Sequence, residues 1–351
     1  MNPVLLGQSA ETEVEAKKDS LVDRFGRVHQ SLRVSVTDVC NIRCSYCMPE
    51  DNPQFLPNDK LLSFDAIERF VRFCSSHGMH KIRLTGGEPL VRRDIHELVG
   101  RLDDLPEVWD LAMTTNAILL SQHVENLVRS GLRRLNISLD TLSEDVFRRI
   151  ARRNGLERTL QGIESARQYE ELEIKLNALV LRDVNLDGVL DLVAFAMERS
   201  LPIRFIEFMP LDAERSWNAQ RMVSGDELRT LIGERFGELV AIDPIDPSRP
   251  AREFRFRGES GEARLGFIDS VSRPFCAACD RLRLTAEGKI RNCLFGTEEW
   301  DVGPYLQSDS ADSRRKLHSV LLDCVDAKHA AHGIANPNFE QPVRSMYQIG
   351  G

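Results

Sequence analysis

Six of the eight cysteines fall into two groups of three: Cys40, Cys44 and Cys47, then Cys276, Cys279 and Cys293. The first group is a C-x3-C-x2-C run, Cys40-Asn41-Ile42-Arg43-Cys44-Ser45-Tyr46-Cys47, and the second is C-x2-C-x13-C. Soft thiolates this close together serve zinc or an iron–sulfur cluster. Structural zinc takes four ligands and an electron-transfer cluster takes four cysteines, so three leave one metal position open to something else. Zinc with a distant fourth ligand stays an alternative. The first loop contains no histidine, whereas the second triad has Cys324, His318, His329 and His332 further along the chain. The two isolated cysteines read differently. Cys74 follows Ile67, Phe70 and Val71, and Cys324 follows Leu317, Val320 and Leu321, at the spacing of one apolar helix face, which makes both core residues.

Three other features bear chemistry. Thr85-Gly86-Gly87-Glu88-Pro89 lets main chain approach a neighbouring group closely, because no Cβ intervenes at the glycines. Arg281-Leu282-Arg283 directly follows the second triad, and alternation puts both guanidinium forks on one side of an extended segment. Such forks suit phosphate oxygens, each charge-assisted bond contributing about 1.5 to 3 kcal/mol. Arg33, Arg83 and Lys175 lie along or at the ends of the expected strands. Cations inside an acidic protein point to a strongly anionic substrate.

The elements that must position these residues follow from length and periodicity. With 351 residues the chain holds about two domains, or one large barrel with an appendage. At 42% apolar and 28% charged it is an ordinary globular composition. Lys plus Arg number 46 against 54 Asp plus Glu, a net charge of −8, which argues against a global basic face for nucleic acid. No apolar run is long enough for a membrane span. Residues 1 to about 22 read as a disordered tail, whose Glu11, Glu13, Glu15 and Asp19 are wrong for a transit peptide, and free thiols elsewhere fit a reducing cytoplasm.

From residue 23 to 243 the sequence alternates strand and helix in six βα units. Strands are expected at 32–37, 81–85, 111–115, 134–139, 174–180 and 203–208. Helices are expected at 64–77, 94–102, 122–130, 156–169, 189–199 and 226–236, with capping-box spacings at Thr141 to Glu144 and Ser224 to Glu227 and a stop at Gly131. Six units are two short of a closed eight-fold barrel, so the candidates are an open partial barrel or a doubly wound sheet. Either places the site at the C-terminal strand ends, where polar residues such as Asp38, Asn116, Asp140 and Asn177 recur. The Pro/Asp-rich stretch 243–247 reads as a linker to a smaller C-terminal α+β domain, 244–351, with one helix around Arg314 to Lys328.

The first cysteine run, with Tyr46 before its third cysteine and Gly86-Gly87-Glu88-Pro89 at the second strand, resembles the cluster and glycine motifs of the radical S-adenosylmethionine superfamily. That resemblance implies a 4Fe-4S cluster on Cys40, Cys44 and Cys47, with S-adenosylmethionine on its open iron and cleavage to a 5′-deoxyadenosyl radical. Both triads together, Ser31-Leu32-Arg33-Val34-Ser35-Val36-Thr37-Asp38, Lys81 to Leu90 and the terminal Gly350-Gly351 resemble the GTP 3′,8-cyclases of molybdenum cofactor synthesis, from Ser31 to the end. The resemblance implies a partial (βα)6 TIM-like barrel and a lyase that turns GTP into 3′,8-cyclo-7,8-dihydro-GTP. Tyr46, Gly87, Ser138 and Met209 would contact S-adenosylmethionine. Cys276, Cys279 and Cys293 would hold a second 4Fe-4S cluster whose open iron takes the guanine. Arg33, Arg83, Thr114, Lys175, Arg281, Leu282 and Arg283 would bind GTP. Gly350 and Gly351 would insert into the active site and, with Arg281 and Arg283, take part in catalysis. The partners implied are flavodoxin or ferredoxin as low-potential electron donor, a downstream cyclic pyranopterin monophosphate synthase, and a second copy in a homodimer. One departure is Ala117, where the family more often has glycine. A peptide-modifying radical enzyme and a nonenzymatic iron–sulfur or zinc carrier are the rival readings. The first usually carries more C-terminal cysteines, and the second gives no reason for the glycine motif.

Overall fold

The computed structural model describes residues 20–244, 246–258, 261–336 and 339–350. Most of the expected tail, residues 1–19, and Gly351 lie outside the described residues. Within the described part, Leu21 is already buried and Val22 bridges Val28 in a short N-terminal hairpin.

The six βα units are present. They run β1 (Ser31–Ser35), α1 (Phe64–Ser76), β2 (Lys81–Thr85), α2 (Ile95–Asp103), β3 (Asp110–Thr115), α3 (Leu120–Arg129), β4 (Arg134–Ser138), α4 (Glu144–Ala151), α5 (Leu156–Ala166), β5 (Glu173–Val180), α6 (Val189–Glu198), β6 (Ile203–Glu207) and α7 (Gly225–Phe236). The first helix shows the local logic: Ser63 caps it by accepting the Ala66 N–H at 3.2 Å, worth about 1 kcal/mol. Its Ile67, Phe70, Val71 and Cys74 are fully buried against the sheet. Gly131, in the left-handed region, ends α3 as expected, its N–H donating to Val128 and that of Leu132 to Leu127. One start signal is corrected. Thr141 does not cap the extra helix α4; Ser143 does, while the Thr141 hydroxyl accepts the Ser143 N–H at 3.1 Å. An ST turn of this kind moves the cap two residues along.

The remaining strands are β7 (Val240–Ile242), β8 (Arg252–Gly258), β9 (Gly261–Ile268), β10 (Arg281–Leu284), β11 (Lys289–Arg291) and β12 (Trp300–Asp301), followed by α8 (Ala311–Asp326) and α9 (Met346–Ile349). They do not form a sheet of their own. All twelve described strands belong to one sheet, in the order β12-β11-β10-β1-β2-β3-β4-β5-β6-β9-β8-β7. β10 pairs parallel to β1 and β9 parallel to β6, so the C-terminal segment supplies the two parallel strands that six βα units lack. The barrel still does not close, because β10 and β9 each turn to an antiparallel neighbour, β11 and β8.

Along the strands, Leu32, Val34, Ile82 and Leu84 join the hydrophobic core, while Ser31, Arg33, Lys81, Arg83 and Thr85 line the interior. The inner face carries these charged and hydroxyl side chains because it surrounds a cavity of about 550 Å³ and not a packed centre. No helix among the described residues is long and apolar enough to cross a membrane.

Candidate active site

The cavity runs the length of the barrel. At the C-terminal strand ends it is lined by Cys40, Cys44, Tyr46, Cys47, Gly86, Gly87, Ser138 and Met209. Toward the strand starts it is lined by Arg33, Arg83, Arg134, Arg204, Arg281 and Arg283, then by Trp109 and the segment 248–251 at the rim.

The first cysteine loop is locked to the glycine motif. Gly87 N–H donates to Thr37 O at 2.7 Å and Glu88 N–H to Val39 O at 2.9 Å. A Cβ on Gly86 would lie 2.3 Å from Thr37 O, and one on Gly87 2.4 Å from Val39 O. The glycines therefore serve first to let two loops pack backbone on backbone, which holds the three cysteines at the cavity wall. Glu88 braces the same junction, accepting from Thr115 Oγ1 (2.7 Å), Asn116 N–H (2.7 Å) and Leu90 N–H (3.0 Å). Burial raises its carboxyl to about 7, against the pull of those donors. Ala117, the departure noted above, sits in the left-handed region at φ 62°, with its carbonyl where a Cβ on Gly162 would fall.

Burial pushes the Cys40 and Cys47 thiols up to about 12, helped by Glu88 at Cys40 and by Cys40 at Cys47, and burial with Asp140 and the two neighbouring sulfurs raises Cys44 as well. Thiols this resistant to ionisation become ligands when a cationic metal compensates the charge. Tyr46 donates its hydroxyl to Asp140 Oδ2 at 2.6 Å, and Asp140 Oδ1 accepts the Leu179 N–H at 2.8 Å, so the ring is fixed between the first loop and the ends of β4 and β5.

Strand register aligns the cations. Arg283, Arg33 and Arg83 are direct partners across β10, β1 and β2, a row of three guanidinium groups on strands about 4.8 Å apart. Arg33 and Arg83 have no ion-pair partner among the described residues, and Arg83 Nε is buried without a hydrogen-bond partner. Burial and mutual repulsion pull both well below the ordinary arginine value. Uncompensated cations in one row are costly unless an anion occupies the cavity. Thr114 also lines it. Leu282 does not line it, its side chain being core, and Lys175 does not either, its ammonium being paired with Glu173 at 2.6 Å.

The chain's end reaches the same place. Tyr347 and Ile349 are buried, and Gly350 (φ 69°) accepts a hydrogen bond from Arg283 at its carbonyl. A Cβ on Gly350 would lie 2.9 Å from Thr85 Cγ2 and 3.2 Å from Ser35 Cβ, at the ends of β2 and β1.

The second triad lies just behind the cavity wall, its neighbours Phe275, Asp280 and Leu294 lining it. Cys276 and Cys279 flank a single 3-10 turn, and Cys293 follows β11. Arg281 and Lys328 help hold the Cys279 thiol below its ordinary value despite burial. Three of the four alternative fourth ligands are engaged elsewhere. Cys324 is in the core, His318 packs on His77 at 5.0 Å, and both ring nitrogens of His332 are used, by Ser270 O (2.9 Å) and Ile334 N–H (3.1 Å). The His329 side chain is exposed. Among the described residues no three His, Cys, Asp or Glu side chains converge on one ion.

Comparison with known proteins settles the family. Residues 34–196 match the Radical SAM superfamily model, and residues 201–334 match Molybdenum Cofactor Synthesis C. A GTP 3′,8-cyclase of Rhodopirellula baltica is 47% identical, the match covering 95% of this chain and 92% of that one. The chain belongs to the GTP 3′,8-cyclase family. A GTP 3′,8-cyclase of Rhodococcus opacus is 42% identical over 95% of this chain and 93% of its own, and Drosophila melanogaster molybdenum cofactor biosynthesis protein 1 is 40% identical over 93% of this chain and 57% of its own. The crystal structure of Streptococcus suis SuiB bound to precursor peptide SuiA shares the fold (TM-score 0.63, 14% identity, 92% of this chain and 77% of that one). For a member of this cyclase family, sequence reasoning missed Arg134, Arg204 and Asp140. The signal was available for the two arginines, since each stands at an inward position of an expected strand, by the criterion that selected Arg33 and Arg83. Asp140 was read only as one of the polar strand-end residues, and nothing in the sequence signalled its bond to Tyr46 across 94 residues.

Proposed function

We propose that this chain is a lyase that converts GTP to 3′,8-cyclo-7,8-dihydro-GTP, the first step of molybdenum cofactor synthesis, in the cytoplasm. The observation that carries the reading is the register-aligned row Arg283–Arg33–Arg83, which has no carboxylate partner among the described residues and faces a cavity that has one cysteine triad at its end and another behind its wall.

Cys40, Cys44 and Cys47 would hold a 4Fe-4S cluster, with Tyr46, Gly87, Ser138 and Met209 around S-adenosylmethionine. When bound, that pair supplies a 5′-deoxyadenosyl radical able to take a hydrogen atom from an unactivated carbon. Cys276, Cys279 and Cys293 would hold a second 4Fe-4S cluster beside the guanine. The chain's own work is position and charge. Arg33, Arg83 and Arg283, with Arg281 and Thr114, bind the triphosphate, and burial makes each guanidinium–phosphate bond stronger than it is in water. Anchoring the phosphates fixes where the ribose C3′ and guanine C8 can lie, which removes the entropy of bringing them together. Lys175 reaches substrate only by leaving Glu173. Leu282 contributes main chain, and Gly350 completes the wall beside Arg283. A flavodoxin or ferredoxin supplies electrons, a cyclic pyranopterin monophosphate synthase takes the product, and the chain works as a homodimer.

The test is an anaerobic assay of reconstituted protein with S-adenosylmethionine, dithionite and either GTP or ATP, after counting iron and sulfide. About eight of each per chain, with 5′-deoxyadenosine and a cyclised nucleotide formed from GTP alone, is expected for two four-iron clusters. About four irons and one zinc, with no dependence on GTP, would overturn the substrate and the second cluster together.

A further inference from the structure

The second triad sits on two segments, the turn that carries Cys276 and Cys279 and the stretch after β11 that carries Cys293, so something must hold those two segments together. Two buried cations do so through main-chain carbonyls. The Lys328 ammonium, just past α8, donates to Arg281 O at 2.9 Å and to Asn292 O at 2.6 Å. Those carbonyls stand two residues after Cys279 and one residue before Cys293. The Arg27 guanidinium, from the N-terminal hairpin, donates to Cys276 O at 2.7 Å and to His329 O at 2.8 Å. It is oriented by Asp23 Oδ2 at 2.6 Å, which also meets His29 Nε2 at 3.2 Å. Asn292 is fixed in turn by donating to Cys324 O at 2.8 Å.

The two cations differ in one respect. Arg27 has its counter-ion in Asp23. Lys328 is 3% exposed, and among the described residues no carboxylate lies within ion-pairing distance of it; its acceptors are two neutral carbonyls. A buried ammonium left so is expensive unless a negative group lies nearby. Three thiolates holding an iron–sulfur cluster are such a group, and Lys328 joins the segments that carry two of them.

We infer that Lys328 is a positioning residue for the second triad: its ammonium clamps the Cys279 and Cys293 segments together and supplies the positive charge that offsets a cluster bound there. Arg27 does the same mechanical work for Cys276 with its charge already neutralised. This rests on the proposed second cluster. Reduction adds one negative charge to a cluster, so an adjacent cation favours the reduced form, and removing it lowers the midpoint potential.

The experiment uses the full chain with Cys40, Cys44 and Cys47 changed to Ala, reconstituted anaerobically with ferrous iron and sulfide so that only the second triad loads. Lys328→Gln keeps an N–H₂ donor and drops the charge. It should retain iron while its midpoint, followed by electron paramagnetic resonance during dithionite titration, moves lower than the parent's. Lys328→Met drops both, and should retain at most half the parent's iron after desalting. Lys328→Arg should restore iron content and midpoint. If the Met variant fails to fold, as melting of the apo chain would reveal, the Gln and Arg variants decide. A Lys328→Gln midpoint equal to the parent's overturns the inference. A parent chain that takes up zinc in preference to iron overturns instead the reading of a second cluster.

Discussion

Replacing Gly350 by Ala asks whether the chain's end belongs to the active site. Gly350 adopts the left-handed conformation, which costs an alanine about 1–2 kcal/mol. The new methyl would also lie 2.9 Å from Thr85 Cγ2 and 3.2 Å from Ser35 Cβ, closer than side chains pack, and overpacking of this kind adds at least about 1 kcal/mol. Against a total of about 2–3 kcal/mol stand the buried side chains of Tyr347 and Ile349 and the bond from Arg283. A terminus opens on its own docking energy, not on the stability of the whole fold. Gly350→Ala should therefore leave the melting temperature and iron content at wild-type values while the equilibrium constant for docking of the end falls about 30-fold or more. The assay is GTP-dependent 5′-deoxyadenosine formation under anaerobic conditions, with iron counted in the same samples. Turnover should fall with the docked fraction, and deletion of Gly350 and Gly351 should abolish it with iron content intact. Wild-type turnover in either variant refutes the argument, because the end would then be an ordinary tail.

Arg83→Met removes a half-buried cation that has no ion-pair partner among the described residues, so the melting temperature should rise or hold while GTP affinity, measured by equilibrium binding, falls about 10- to 150-fold, the worth of one charge-assisted bond; destabilisation with unchanged affinity would mean the cation is structural. His29 is fully buried, and burial with the nearby Lys328 pulls its imidazole down to about 4, so the unfolded chain binds its proton first as pH falls. Stability from this group is complete above about pH 6.5 and falls by about 3 kcal/mol on the way to pH 4, as urea midpoints against pH should show, and His29→Met should flatten that slope. Ala117→Gly relieves about 1–2 kcal/mol of left-handed strain but gives up about 0.4–1 kcal/mol of backbone entropy and a buried methyl, so its urea midpoint should stay within about 1 kcal/mol of wild type.

Much of the molecule was legible in the chain itself. The strands of the six βα units fall within about one or two residues of their expected positions, because alternation and helical spacing are local properties of sequence. The cysteine triads, the glycine motif and Arg33, Arg83, Arg281 and Arg283 announced themselves by type and spacing. The glycines' immediate task was not legible, since what a missing Cβ makes room for depends on which backbone comes to face it, here Thr37 and Val39.

What tertiary structure alone decided is pairing between distant segments. Nothing local in Arg281-Leu282-Arg283 says that it will lie parallel to Ser31-Leu32-Arg33, yet that register turns scattered arginines into a row. Likewise β9 and β10 lie at opposite ends of the parallel sheet, so the segment expected as a separate domain completes the barrel wall from both sides. Polar partners follow the same division. Tyr46 meets Asp140, Lys175 meets Glu173, and Lys328 meets two carbonyls, each according to what folding brought within reach. Sequence determined which groups the chain carries and which local element bears them. The electrostatics of the site belong to the fold, because charge acts through space and burial, not along the chain.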